Sequence, residues 1–256
     1  MTATWRATWL GQAGLRLDTD KGSVVVDPWT SPHDERLAPP PSLELAAENV
    51  DWLLITHEHL DHLDVPLLRE VLDRSPRARV VLPAPVVELV DDIVPDSRRL
   101  QVLPGDSVDL DGLQLNVVPA FHGLTTEDGY GDGSENGGEA RFVGYVMGDG
   151  PRVYHAGDTV VTEELRDALR PLAIDVAFLP INGRDAEREA RGIVGNMDAA
   201  EAVELAVEIG ATRLVPIHWD GVKGNTAAPD DAVRAARGRI DVVVPTRFEP
   251  LDLAAG

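Results

Sequence analysis

At 256 residues the chain is long enough for a substantial core, and its even composition without a linker points to one domain, 1–256, in two structural halves of about 1–150 and 151–256. It has no cysteine, which removes disulfides, thiolate metal ligands and cysteine nucleophiles together and leaves oxygen and nitrogen donors for any metal. With 44 acidic against 23 basic side chains and a formal net charge of −21, the surface repels nucleic acid and anionic membranes unless a basic run overrides it, and none occurs.

Residues 1–6 lack the charged start and apolar core of a signal peptide, and no apolar run is long enough to span a bilayer, so the expectation is a cytoplasmic protein. Short apolar runs at Thr8–Leu10, Leu15–Leu17 and Ser23–Pro28, separated by glycine turns, read as an antiparallel meander. The next run, Val50–Ile55, reads as a buried strand. Asp64 is placed to cap a helix from Val65 to about Leu72, with Pro66 tolerated in its first turn. Strands follow at Arg79–Leu82, Leu113–Val118 and Ala120–His122. From Gly123 to near Glu139 the composition turns to glycine and acid, which reads as a loop, either a lid or an uninvolved surface insertion.

The second half alternates: a strand at Arg152–His155, a helix from about Thr162 to Leu169, a strand from Ile174 to Leu179, and a helix from Asp198 to Ile209 closed by Gly210. A strand at Arg213–His218, a helix near Asp230–Arg237 and a strand at Ile240–Val244 complete the series. A meander followed by α/β alternation predicts two sheets covered by outer helices, a four-layer αββα sandwich of the α/β (α+β) class.

The densest chemistry lies in Thr56-His57-Glu58-His59-Leu60-Asp61-His62, immediately after the strand that ends at Ile55. Three imidazoles and a carboxylate in six positions suit zinc, manganese or iron, and a loop at a strand's end can converge them on an ion. His122, Asp158 and His218 each follow a predicted strand as well, and strand ends on one sheet edge meet in space. Taken with the H-x-H-x-D-H string, this order resembles the metallo-β-lactamase-fold superfamily over nearly the whole chain. The resemblance implies an αββα sandwich with one or two metal ions. It places His57, His59 and His122 on one ion, Asp61, His62 and His218 on the second, Asp158 between them, and Asp27 as an acid orienting the ligands from behind.

Three further stretches, Leu179-Pro180-Ile181-Asn182-Gly183-Arg184-Asp185, Ile193-Val194-Gly195-Asn196-Met197 and Pro216-Ile217-His218-Trp219-Asp220 followed by Asn225-Thr226, look like the L-ascorbate-6-phosphate lactonase family, as does the opening Thr8-Trp9-Leu10-Gly11-Gln12-Ala13-Gly14. The chain is shorter than that family and carries the acidic 123–139 segment. The likeness implies a hydrolase in which two divalent ions acidify a water to hydroxide near neutral pH, with Asp61 as ligand and catalytic orienter, acting on a small anionic sugar-acid lactone, phosphorylated or not. Phosphodiester hydrolysis is served by the same ligands, and a non-catalytic metal-binding or sensory protein is the reading from another class.

Arg184 and Asn182 lie just past a strand end, where a guanidinium can clamp a phosphate or carboxylate or simply pair with Asp185 or Glu187. Lys223 and Asn225 have the same status. Asn196 opens the helix that starts near Asp198, whose positive end suits an anion, although capping alone explains it. His33 reads as a surface residue. His155, on a buried strand, reads as a hydrogen-bonded core imidazole outside the metal set.

Overall fold

The computed structural model describes residues 5–125, 130 and 140–253. Strands β1 (Arg6–Gly11), β2 (Gly14–Thr19) and β3 (Gly22–Val26) form the expected meander, and β4 (Trp52–Leu54), β5 (Arg79–Pro83) and β6 (Arg99–Val102) extend it as parallel neighbours. Helices α1 (Leu43–Ala47), α2 (Val65–Arg74) and α3 (Ala84–Val90) lie between these strands in the chain. A second sheet repeats the plan. In it β7 (Ser107–Leu110), β8 (Leu113–Pro119), β9 (Val143–Met147) and β10 (Val153–His155) run antiparallel, and β11 (Val176–Pro180), β12 (Arg213–Ile217) and β13 (Asp241–Val242) continue parallel. Its helices are α4 (Glu163–Leu169), α5 (Ala186–Glu189), α6 (Ala199–Glu208) and α7 (Pro229–Ala236), and β14 (Pro250–Asp252) returns to pair with β1.

Alternation along the strands sorts their side chains into separate cores. Val24 and Val26 of β3, Trp52 and Leu54 of β4 and Val81 of β5 face the second sheet, where Leu115, Val117, Tyr145, Phe178 and Val215 meet them. Their neighbours Val25, Leu53, Val80 and Leu82 turn outward onto Leu67, Leu68 and Val71 of α2 and Val86 and Val90 of α3. On the far side Tyr154, Ala177, Leu179 and Leu214 pack on Leu165 of α4, on Val203, Leu205 and Ala206 of α6 and on Ala232 of α7. The result is the four-layer αββα sandwich, with apolar residues on both faces of each sheet because both faces are covered.

The change from meander to alternation does not divide the chain near residue 150. The chain leaves the first sheet after Val102 and enters the second at Ser107, and each sheet contains an antiparallel and a parallel part. Strands β6, β7, β9 and β14 and helices α1, α3 and α5 go beyond the sequence expectations, whereas β8 stops at Pro119 and leaves Ala120–His122 outside it. No helix among the described residues is long and apolar enough to cross a membrane.

Register is what builds the functional edge. Val24, Val25 and Val26 lie beside Trp52, Leu53 and Leu54, so Asp27 and Thr56 emerge next to each other where β3 and β4 stop. In the other sheet His155 of β10 lies beside Phe178 of β11, and Pro180 of β11 beside Ile217 of β12. Asp158, Asn182 and His218 therefore leave one edge together.

Candidate metal centre

Asp27 organises the histidine loop. Its carboxylate accepts from the Thr56 backbone N–H at 2.8 Å, the Thr56 hydroxyl at 2.6 Å and His62 Nδ1 at 2.8 Å, all fully buried. Bound through Nδ1–H, the His62 ring turns Nε2 toward the centre, as a carboxylate behind a metal-ligating imidazole does. The loop folds back on itself through His62 N–H and Leu63 N–H, which both donate to the His59 carbonyl, at 2.9 and 2.7 Å. The Thr56 hydroxyl, committed to Asp27, accepts from His57 Nδ1 at 3.0 Å. His122 Nδ1 donates to the Gly195 carbonyl, so that ring too presents Nε2.

Three groups of donor atoms lie within 4.8 Å of one another: His57, His59 and His122; His57, His62 and Asp158; and Asp61, His62 and His218. His57 Nε2 is 3.0 Å from His59 Nδ1, His218 Nε2 is 3.3 Å from Asp61 Oδ2, and His122 Nε2 is 3.4 Å from Asp158 Oδ2. Asp158 Oδ1 is 3.3 Å from His62 Nε2 and 3.2 Å from His218 Nε2. Bonds of about 2.0–2.1 Å around a tetrahedral zinc place its ligands about 3.3 Å apart, so these separations fit a shared ion. Among the described residues, His62 Nε2 and Asp158 Oδ1 are buried without a hydrogen-bond partner. An orphaned pair of that kind costs about 1–3 kcal/mol per group unless something else engages it, and a cation is the partner that both accept.

Electrostatics divides the histidines into two sets. Burial, with the neighbouring rings of His62 and His59, holds His57 well below the usual imidazole range; burial also lowers His59, and it brings His122 to about 4 against the pull of Asp158. Burial works against protonation at His62 and His218 as well. There Asp158 and Asp61 outweigh it, helped at His62 by Asp27, and both rings are raised. Burial opposes ionisation of Asp61 and Asp158, yet His62 and His218 lower both, so both remain carboxylates.

Asp158 owes its place to Gly157, whose φ of +61° a side chain would resist and whose Cα packs where a Cβ would meet Thr56 at 2.9 Å. Gln12, not anticipated from the sequence, donates through Nε2 to Asp61 Oδ2 at 2.7 Å, and its carbonyl accepts from the His218 backbone N–H at 2.9 Å. Gly221 makes room for it, since a Cβ there would lie 2.0 Å from Gln12 Oε1. His155 is a core imidazole, with Nε2 donating to the Ala13 carbonyl at 2.7 Å and Nδ1 accepting from Gly157 N–H at 3.2 Å.

A cavity of about 190 Å³ opens over the donors. Asn182, Asn196 and Asn225 line it as the sequence suggested, and Arg184 and Lys223 do not. Arg184 turns away to pair with Glu201 and, at 3.5 Å, Glu189, an outcome nearer to the structural salt bridge than to the clamp. Lys223 is exposed. The guanidinium that does line the cavity is Arg188. His33, although exposed, stands on the rim, with its ring edge toward Trp29 at 5.9 Å. Trp29 and His33 belong to a loop held by Asp64, which caps α2 by accepting from Leu67 N–H and also accepts from the backbone N–H and hydroxyl of both Thr30 and Ser31.

The lid expectation for 123–139 falls mainly on 126–129 and 131–139, which lie outside the described residues. Tyr130 is described. Its ring stacks on His122 at 4.3 Å with the planes 1° apart, and its carbonyl accepts from Arg141, whose guanidinium also pairs with Glu58 beside the histidine loop.

Residues 23–219 match the family model described as the beta-lactamase superfamily domain. A UPF0173 metal-dependent hydrolase of Sulfolobus acidocaldarius is 32% identical over 238 residues, spanning 90% of this chain and 91% of that protein. A metal-dependent hydrolase of Methanoculleus marisnigri is 31% identical over 218 residues, spanning 84% and 81%. Among solved structures, the metallo hydrolase Igni18 of Ignicoccus hospitalis superposes with a TM-score of 0.77 over 99% of this chain and 100% of that one, at 24% identity. An isothiocyanate hydrolase from Delia radicum gut bacteria gives 0.76 over 98% and 100%, at 17% identity. The matched span runs through both sheets and contains every donor of this edge, and the chain belongs to the metallo-β-lactamase superfamily, among its metal-dependent hydrolases.

Proposed function

We propose that the protein hydrolyses a small anionic lactone of the sugar-acid type, phosphorylated or not, using two divalent ions of zinc, manganese or iron. His57, His59 and His122 would hold one ion, Asp61, His62 and His218 the other, and Asp158 would serve both. The observation that carries this reading is the Asp158 carboxylate, with Oδ2 near His122 and Oδ1 near His62 and His218. Bound there, such ions acidify water and polarise a carbonyl oxygen.

The chain's own groups do the rest. Asp61, kept ionised by His62 and His218 and held by Gln12, is placed to orient a water for attack. The cavity's size suits a single small substrate, and the Arg188 guanidinium on its wall supports an anionic one. Tyr130, stacked on His122, lines the cavity on that side and gives a substrate an apolar ring face beside the donors.

The test is metal analysis of protein purified without chelator, combined with assays of L-ascorbate 6-phosphate, unphosphorylated sugar lactones and an aryl phosphodiester. Two equivalents of metal and a preference for lactones are expected. Turnover of the diester alone would remove the lactone reading and leave a phosphodiesterase.

A further inference from the structure

On the cavity wall, three asparagines and an arginine form a chain of hydrogen bonds whose direction the arginine decides. Arg188 only donates. Its Nη1 reaches Asn225 Oδ1 at 2.8 Å, which fixes that amide with oxygen toward the guanidinium. Asn225 Oδ1 also accepts from Asn182 Nδ2 at 2.8 Å, so Asn182 Oδ1 faces the other way and accepts from Asn196 Nδ2 at 3.0 Å. No amide in the series can be reversed without setting two donors or two acceptors against each other.

The series ends on Asn196 Oδ1, an acceptor with no hydrogen-bond partner among the described residues, on a residue 1% exposed that lines the cavity. The other end is equally incomplete. Arg188 spends Nε on Asp185 Oδ2 at 2.7 Å, one Nη1 hydrogen on Asn225 and one Nη2 hydrogen on the Asn182 carbonyl at 2.6 Å, which among the described residues leaves one N–H on each terminal nitrogen. Among the described residues lining the cavity, no other side chain is a lysine or arginine.

We propose that this wall is a recognition site for a molecule carrying both an anionic group and a hydroxyl, with Arg188 taking the carboxylate or phosphate and Asn196 Oδ1 accepting from the hydroxyl. Asn182 and Asn225 are positioning residues that set which end of the series donates and which accepts. This deepens the lactone reading, since a ring-opened sugar acid has both groups, and it rests on that reading for turnover but not for binding.

Calorimetric titration of the metal-loaded full chain tests it with four probes that contain no ester ring: gluconate, glucitol 6-phosphate, glucitol and hexanoate. Gluconate or glucitol 6-phosphate should bind roughly tenfold or more tighter than glucitol, which lacks the anion, and gluconate likewise tighter than hexanoate, which lacks hydroxyls. Which of the first two is tighter identifies the anion as carboxylate or phosphate.

Arg188→Met should erase the advantage over glucitol, and Asn196→Ala the advantage over hexanoate, with circular dichroism verifying the fold. Asn225→Asp keeps an acceptor toward both donors and should retain the hydroxyl preference while weakening anion binding. Asn182→Asp sets an acceptor against Asn225 Oδ1 and should lose the preference. Gluconate affinity unchanged in Arg188→Met, as contact with the metal alone would give, overturns the anion site; the reverse order for the two aspartate variants overturns the series. Because no probe is hydrolysed, failure here leaves lactone turnover standing, and absence of lactone turnover leaves this site standing.

Discussion

In the donor cluster three of the five rings are fixed by groups outside the set of donors: His62 by Asp27, His57 by the Thr56 hydroxyl that Asp27 also holds, and His122 by the Gly195 carbonyl. Along the wall Arg188, Asn225, Asn182 and Asn196 fix one another in series. The first arrangement tolerates the loss of one member, because the remaining rings keep their anchors. The second transmits a change from one end to the other, because every amide's orientation depends on the next. A centre that must present several donors at once is served by anchors that are not themselves donors, and a wall that must match one ligand is served by dependence.

The largest expected effect is at Asp158, whose two oxygens face His122 on one side and His62 and His218 on the other. Asp158→Ala should lower bound metal to one equivalent or fewer and reduce hydrolysis to the level of metal-stripped protein. In the metal-free state it leaves the buried imidazolium groups of His62 and His218 short of their counter-charge, at a cost of about 3–5 kcal/mol. Retention of two equivalents by plasma emission analysis would break the picture of a shared carboxylate.

Asp27→Asn touches an anchor and not a donor. It should reduce metal affinity about 10–100-fold, measured by competition with a chromogenic chelator, while His122, held by the Gly195 carbonyl, stays in place. A collapse of all metal binding would mean that His122 too depends on Asp27.

The acid–base division gives a third test. His57, His59 and His122 have lowered values, so below 6.5 the unfolded chain takes up their protons before the fold does, and stability falls as pH drops toward about 4. His62 and His218 have raised values, so the stability they supply is fully present below 6.5 and is lost as pH rises through their folded values. As far as these rings decide it, metal-free protein should be most stable near pH 6.5, and metal uptake above it should release protons, read as a dependence of binding heat on the buffer's ionisation enthalpy. The same heat in every buffer would sink the assignment of protonated rings.

The smallest effect is at the arginine that does not line the cavity. Arg184→Ala removes a partly exposed ion pair and should change stability by about 0–1 kcal/mol in urea unfolding, with KM unchanged. A raised KM would return this side chain to the wall.

The donor set was legible because it needs only two facts that sequence carries: where a buried strand stops and which ligand-type residues follow. Asp27, Thr56, Asp158 and His218 obey that rule, and parallel register brings the strand ends level. Arg188 was not legible, because its direction depends on whether residues after Asp185 coil. They do: Asp185 caps α5 by accepting from Glu187 N–H and Arg188 N–H, and that single turn swings Arg188 back toward the Asn182 carbonyl while Arg184 stays outside. The aspartate three positions before Arg188 was the available signal. Gln12 escaped for another reason, because it comes from the turn after β1 and meets Asp61 and His218 only once both sheets are assembled.

The Asp64 carboxylate binds the first turn of α2 and both polar residues of the Thr30-Ser31 loop at the same time. Helix and cavity rim therefore share one anchor: the Trp29 and His33 side of the cavity cannot swing clear without giving up its bonds to the carboxylate that caps α2. In native-state hydrogen exchange, the Thr30, Ser31 and Leu67 amides should exchange together, with a common opening free energy, and that energy sets a ceiling on how often the rim can part to admit a molecule larger than the cavity.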